Sequence, residues 1–89
     1  MNETQILGVI ALEGIARLGN FKAASEELDL SIPALCQRIW RLETQLGRAL
    51  TRPDDLDRRR RKLNAEGRRL VEALAPLIAS LEEAKWPKR

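Results

Sequence analysis

The residues that start and stop helices divide the first half of this chain into three short helical segments. Asn2, Asn20 and Ser31 are residue types that accept hydrogen bonds at a helix N-terminus, and Asn2 is followed by Gln5 at capping-box spacing. Gly19 and Gly47 are placed where a left-handed residue would end a helix. Between these signals, apolar residues recur at helical spacing. The sequence therefore predicts helices over residues 2–18, 21–28 and 31–46.

The third helix has one apolar side and one polar side. Leu35, Ile39, Leu42 and Leu46 recur at i, i+4, i+7 and i+11, which predicts a buried stripe. The opposite side carries small residues, an amide and arginine, namely Pro33, Ala34, Gln37, Trp40, Arg41 and Thr44, with Arg38 and Gln45 along one flank. Small residues permit close approach to the major groove of DNA, and Gln and Arg pair with base edges. The same face also fits an ordinary solvent-exposed surface.

Helical periodicity stops after Gly47, and the next segment predicts a basic β-hairpin. Strand-like segments at 48–52 and 58–63 flank the turn residues Pro53, Asp54 and Asp55. The returning strand carries five consecutive cations, Arg58, Arg59, Arg60, Arg61 and Lys62. Alternation along a strand sends some of these cations to each face.

A last helix is predicted from the capping residue Asn64 to about Ala84. Its apolar stripe repeats at i, i+4, i+7 and i+11 and consists of Leu70, Leu74, Leu77 and Leu81, with Val71 and Ile78 beside it. Pro76 lacks a backbone donor and its ring displaces the preceding turn, so we expect a kink or a break near residues 72–75.

The net charge of +3 hides a basic middle segment. Residues 38–69 contain eleven Lys and Arg side chains against five Asp and Glu, and ten of the eleven cations are arginine. Residues 1–37 are acidic, with a net charge of −3. Because the arginine fork suits phosphate and guanine, the segment favours a nucleic-acid partner, with a solvated surface as the alternative.

Composition excludes several functional classes. The chain has no His, and Cys36 is its only cysteine, so neither a disulfide framework, a Cys/His zinc site nor a histidine-activated nucleophile can form. We therefore predict that the protein is not an enzyme and uses no metal or cofactor. No apolar run approaches the roughly 18 residues of a membrane helix, and the N-terminus lacks the features of a signal peptide. The expectation is a cytoplasmic domain without membrane contact.

In chain order, these elements describe a winged helix-turn-helix. The residues at 19–28, 31–39, 41–47 and 63–67 (the last Leu-Asn-Ala-Glu-Gly) resemble the DNA-binding domain of LysR-type transcriptional regulators. The resemblance implies a mainly α fold, with a winged helix-turn-helix of three helices and a two-stranded wing over residues 1–63. A linker or dimerisation helix and a C-terminal tail would follow over residues 64–89. In the family, the third helix reads the major groove, the wing lies on the flanking backbone or minor groove, and the linker helices form a dimer.

The resemblance and the charge pattern together predict a homodimeric regulator that binds an inverted repeat in double-stranded DNA. The predicted DNA contacts are Ser31, Ile32, Pro33, Ala34, Cys36, Gln37, Arg38, Arg41, Arg52, Arg58, Arg59, Arg60, Arg61 and Lys62. The predicted dimer contacts are Leu70, Val71, Leu74, Leu77, Ile78 and Leu81. Family members carry an effector-binding region after the linker helix, so we expect no small-molecule effector site within these residues. The chain is then either an excised domain or a natural single-domain protein.

Four positions depart from the family pattern. Ile32 replaces a usual Gln and offers a thymine methyl contact in place of hydrogen bonds. Cys36 replaces a hydroxyl residue, and a small residue near the groove is favoured over a redox sensor. Trp40 stands where a polar or basic residue is usual; it would stack on a sugar, face a protein or, as we favour, cover the wing. Thr51 replaces a usual Phe in a wing about three residues longer than the family pattern.

Two other functions remain open from the sequence. In the first, Trp40 and the last helix bind a protein partner, and the basic segment is only a solvated surface. In the second, the arginine run binds nucleic acid without sequence preference.

Overall fold

The computed structural model describes residues 2–57 and 61–85. Within them lie α1 (Glu3–Leu18), α2 (Phe21–Leu28), α3 (Ile32–Leu46), β1 (Thr51–Pro53), β2 (Arg61–Leu63) and α4 (Ala65–Glu83). The two strands form an antiparallel sheet, which is the wing. The predicted winged helix-turn-helix followed by a further helix is therefore confirmed. No helix in this part of the chain is long and apolar enough to cross a membrane.

The predicted capping residues begin and end the helices. Asn2 Oδ1 accepts a hydrogen bond from the Gln5 backbone N at 2.9 Å, and Gln5 Oε1 accepts one from the Asn2 backbone N at 3.0 Å, which completes the capping box. The other capping side chains, which each accept a backbone N–H from the first turn of the next helix, are Asn20, Ser31 and Asn64. Gly19 and Gly47 end α1 and α3 with φ of 85° and 66°, a region that favours glycine.

The core lies where α1 packs against α3 and α4 and where the base of the wing closes over them. It consists of Val9, Ala11, Leu12 and Ile15 of α1, Ala24 of α2, Leu35, Ile39 and Leu42 of α3, Leu50 and Leu63 beside the wing, and Ile78 of α4. The apolar stripe predicted for the third helix is thus confirmed for three of its four residues, whereas Leu46 at the helix end is exposed. Burial of this stripe fixes the opposite side of α3 toward solvent.

The wing is shorter than its predicted strands. Residues 48–50 were expected in the first strand, but the backbone N–H of Arg48 donates to the Glu43 carbonyl and that of Leu50 to the Glu43 side chain. These contacts hold the backbone of residues 48–50 beside the end of α3, and β1 begins at Thr51, the first residue paired across the sheet. The register pairs Thr51 with Leu63, Arg52 with Lys62 and Pro53 with Arg61. The predicted positions 58–60 lie outside the described residues.

A kink or a break was predicted near residues 72–75, and the break is wrong, because α4 is continuous from Ala65 to Glu83 with Pro76 inside it. Apolar residues on both sides of the proline hold the helix to the core: Leu74 packs against it and Ile78 lies within it. The local loss of one backbone hydrogen bond is therefore offset by side-chain packing along the same helix.

The apolar stripe of α4 faces the core of its own chain. Ile78 is only 2% exposed and lies in the core of its own chain, and Leu70, Val71 and Leu74 are partly buried against that core. The dimer contacts predicted for these residues stay a prediction. The stripe has the period expected for any helix that buries one side, and here α1 covers that side. Leu77 is 42% exposed and lies at the edge of the stripe.

Candidate nucleic-acid interface

The predicted reading face of α3 is open to solvent. Ile32 is 45% exposed and Trp40 57% exposed. The other exposed residues of this face are Ser31, Pro33, Gln37, Arg41 and Thr44, whereas Ala34, Cys36 and Arg38 are half-buried. The structure therefore places the amide and arginine side chains predicted to read bases on one side of a helix whose other side is in the core. Such a helix is about 10–12 Å wide with its side chains, which matches a major groove about 12 Å wide.

Glu43 attaches the wing to α3. One of its carboxylate oxygens, Oε2, accepts hydrogen bonds from the Leu50 backbone N at 2.7 Å, the Thr51 backbone N at 3.2 Å and Thr51 Oγ1 at 3.4 Å. Sequence reasoning missed this residue. Its one signal was an acidic side chain directly after Leu42, close to the buried stripe and shortly before the helix ends. The contact fixes the start of β1 relative to the reading face.

Arg61 is an exposed residue of β2 that shares a face of the wing with the buried Leu63. Its Nε donates to Thr51 Oγ1 at 3.0 Å and a terminal guanidinium nitrogen donates to the Thr51 carbonyl at 3.1 Å. Burial raises the pKa of the Cys36 thiol, and the nearby positive charge of Arg61 offsets only part of that rise. The thiolate is thus disfavoured, which supports the interpretation of Cys36 as a small residue rather than a redox sensor.

Arg52 and Lys62 lie opposite each other on the outer face of the wing, and Asp55 joins them. The two terminal guanidinium nitrogens of Arg52 donate to the two Asp55 carboxylate oxygens at 2.9 and 3.2 Å, and Lys62 Nζ donates to one of the same oxygens at 3.2 Å. These cations lower the pKa of Asp55 to about 2. The predicted division of the basic residues between two faces is observed for Arg61 on one side and for Arg52 and Lys62 on the other.

The turn that carries Asp55 is held by its neighbour. Asp54 Oδ1 accepts hydrogen bonds from the backbone N of Leu56 at 2.8 Å and of Asp57 at 3.4 Å. Such a turn is typical of aspartate and positions the following residues without further secondary structure. Arg58, Arg59 and Arg60 were also predicted to contact DNA, but they lie outside the described residues.

More than half of the Trp40 surface is exposed, and its role as a cover for the wing stays a prediction. It lies four residues after Cys36 and three before Glu43, and both neighbours contact or adjoin the wing. Helical geometry therefore puts the indole at the border between the reading face and the wing.

Within residues 2–57 and 61–85, no group of His, Cys, Asp and Glu is arranged to hold a metal ion.

Comparison with known sequences identifies a family. Residues 9–68 match the model of the "Bacterial regulatory helix-turn-helix protein, lysR family". Over 50 residues, the chain is 46% identical to the HTH-type transcriptional regulator y4mQ of Sinorhizobium fredii. The match covers 56% of this chain and 17% of that protein, so the chain spans less than a fifth of this relative.

Solved structures have the same fold. A LysR family transcriptional regulator from Eggerthella lenta is 28% identical with a TM-score of 0.67, and the match covers 84% of this chain and 99% of that one. The CbnR DBD–DNA complex has a TM-score of 0.72 and 22% identity over 96% of this chain and 91% of that one, which shows similarity of fold alone.

Proposed function

Because this chain belongs to the lysR family of bacterial regulatory helix-turn-helix proteins, we propose that it recognises a specific sequence in double-stranded DNA as the DNA-binding part of a transcriptional regulator. The observation that carries the proposal is the exposed amide-and-arginine face of α3, held beside a basic wing by the hydrogen bonds of Glu43. The N-terminal half of α3 would enter the major groove. The wing would lie on the adjoining backbone or minor groove.

The two surfaces have different tasks in this proposal. Gln37, Arg38 and Ile32 would choose bases through hydrogen bonds and a methyl contact, with Ser31, Pro33, Ala34, Cys36 and Arg41 completing the contact surface. The cations of the wing would bind phosphates; these are Arg52 and the cations at positions 58–62. Phosphate contacts give affinity and salt dependence without sequence preference.

Selection from a pool of random duplexes tests the function directly. Enrichment of an inverted repeat supports sequence-specific binding by a homodimer. Salt-sensitive binding without enrichment would indicate a nonspecific nucleic-acid-binding protein. A protein that retains no duplex even at low salt would instead support a protein-interaction module.

Removing one side chain from each surface separates their tasks. Gln37→Ala should change the order of affinities among the selected duplexes, because a bidentate base contact contributes about 1–3 kcal/mol of discrimination. Arg59→Ala should weaken binding to all of these duplexes alike and reduce the salt slope by about 0.9. Fluorescence anisotropy titrations at several salt concentrations measure both. A Gln37→Ala protein that ranks the duplexes as the wild type does would count against direct readout by α3.

The predicted homodimer would use the exposed edge of α4, since Ile78 belongs to the core. Leu77→Asp should weaken self-association at least about tenfold, because it brings an unpaired charge into an apolar contact. Ala79→Asp adds the same charge at an exposed position of the same helix and is the control. Sedimentation gives the association constants, and circular dichroism reports folding. If both variants associate equally, Leu77 is not part of the dimer contact. If the wild-type protein is monomeric, the proposal that this chain forms a homodimer is wrong.

A further inference from the structure

The outer face of the wing carries two cations that are already partnered inside the chain. Arg52 and Lys62 are cross-strand partners, and strand alternation puts them on the face opposite the buried Thr51 and Leu63. Like charges directly opposite each other repel. The Asp55 carboxylate accepts hydrogen bonds from both side chains, so it pairs with two of the cations that are predicted to bind DNA.

The geometry of this contact resembles that of a phosphate contact. Arg52 forms two parallel hydrogen bonds with the two carboxylate oxygens of Asp55, which is the arrangement that arginine also uses toward phosphate. The Asp55 side chain is 66% exposed, and those of Arg52 and Lys62 are 44% and 37% exposed. Exposed ion pairs of this kind contribute little to stability, but they compete directly with an incoming phosphate for the same donors.

We propose that Asp55 is an affinity-setting residue that occupies the phosphate-binding groups of Arg52 and Lys62 and so limits how tightly the wing holds any duplex. The proposal rests on the proposed DNA-binding function. DNA must displace the carboxylate, or bind beside it against its negative charge, before either cation contacts a phosphate. Since phosphates carry no sequence information, the restraint acts equally on target and non-target DNA. The low pKa keeps Asp55 ionised near neutral pH, so the restraint is constant there rather than a pH switch.

Asp55→Asn tests the restraint with little change of shape. The amide keeps one acceptor oxygen but removes the charge, and the turn itself is held by Asp54. One additional phosphate contact should tighten binding about fivefold at about 0.15 M salt and steepen the salt slope by about 0.9. The gain should be the same for a selected duplex and for one of scrambled sequence. Glu72→Gln removes the same charge from an exposed position of α4, away from the wing, and should change the affinity much less.

A second substitution identifies the released group. Arg52→Gln should weaken DNA binding little in the wild type, where the guanidinium is occupied, and clearly more in the Asp55→Asn background. If Asp55 instead prepares the cations for DNA, Asp55→Asn will bind more weakly, which overturns the proposal. An unchanged affinity, or a gain equal to that of Glu72→Gln, also overturns it. If the wild-type protein binds no duplex at low salt, the proposed DNA-binding function is itself wrong. If the wild type binds but Asp55→Asn does not raise the affinity, only the role proposed for Asp55 is wrong.

Discussion

Replacing Gly67 with alanine is expected to destabilise the domain by about 3 kcal/mol, since overpacking against a backbone that cannot give way has costs of this order. A Cβ on Gly67 would overlap the Leu50 carbonyl oxygen and lie 3.2 Å from the Leu50 carbonyl carbon. That carbonyl accepts the Asn64 backbone N–H at 3.0 Å, and the N–H of Leu50 is held by Glu43. Leu50 is thus held through both its backbone N–H and its backbone carbonyl. The added methyl group must separate α4 from the wing or break one of these bonds.

Gly14→Ala is the matched control, and we expect the opposite sign. Gly14 is also a buried glycine within a helix, but a Cβ there would lie 3.5 Å from Ala24 Cβ and 3.8 Å from Leu28 Cδ1, which are ordinary contacts. Alanine is favoured over glycine in a helix interior by about 1 kcal/mol. Gly14→Ala should therefore be as stable as the wild type or more so.

Thermal and denaturant unfolding followed by circular dichroism measures both variants. The melting temperature of Gly67→Ala should fall by roughly 15 °C for a domain of this size. A Gly67→Ala protein as stable as the wild type would contradict the close approach of α4 to Leu50. A large loss of stability in Gly14→Ala would show that buried helical glycines in this fold do not tolerate alanine in general. The cost at Gly67 could then not be assigned to the Leu50 carbonyl alone.

The helices of this chain could be predicted from the sequence because their limits depend on neighbouring residues. Asn20 and Ser31 bond to backbone groups three positions later, and Gly47 needs only its own backbone conformation. Such signals are complete within one turn of the chain. The exposed face of α3 followed from the same local period, since it lies opposite Leu35, Ile39 and Leu42.

Contacts between distant residues could not be predicted in the same way. The period of α4 showed that one side is buried, but a period does not tell whether the cover is another chain or α1, and Ile78 turned out to be in the chain's own core. The start of β1 depends on Glu43, eight residues before Thr51. The contact of Lys62 with Asp55 depends on the strand register, which the sequence left open.

Glu43→Ala is the second substitution with a large expected effect. Leu50 is only 2% exposed, so its N–H has little access to water once the carboxylate is removed, and the N–H and hydroxyl of Thr51 lose the same acceptor. A buried donor without a partner costs about 1–3 kcal/mol. We expect a total loss of about 3 kcal/mol, and a loss of DNA affinity at temperatures where the variant remains folded, because the wing is no longer fixed to the reading helix.

Glu43→Gln separates the hydrogen bonds from the charge. All three donors point to the same oxygen, Oε2, so the single carbonyl oxygen of a glutamine amide can take its place while the NH₂ group turns to the other side. The amide loses only the charge-assisted part of the bonds, about 1 kcal/mol. Unfolding and DNA titrations of the two variants decide between the roles. If Glu43→Gln loses as much stability and DNA affinity as Glu43→Ala, the negative charge of Glu43 holds the wing. If only Glu43→Ala shows these losses, the acceptor oxygen joins the wing to α3.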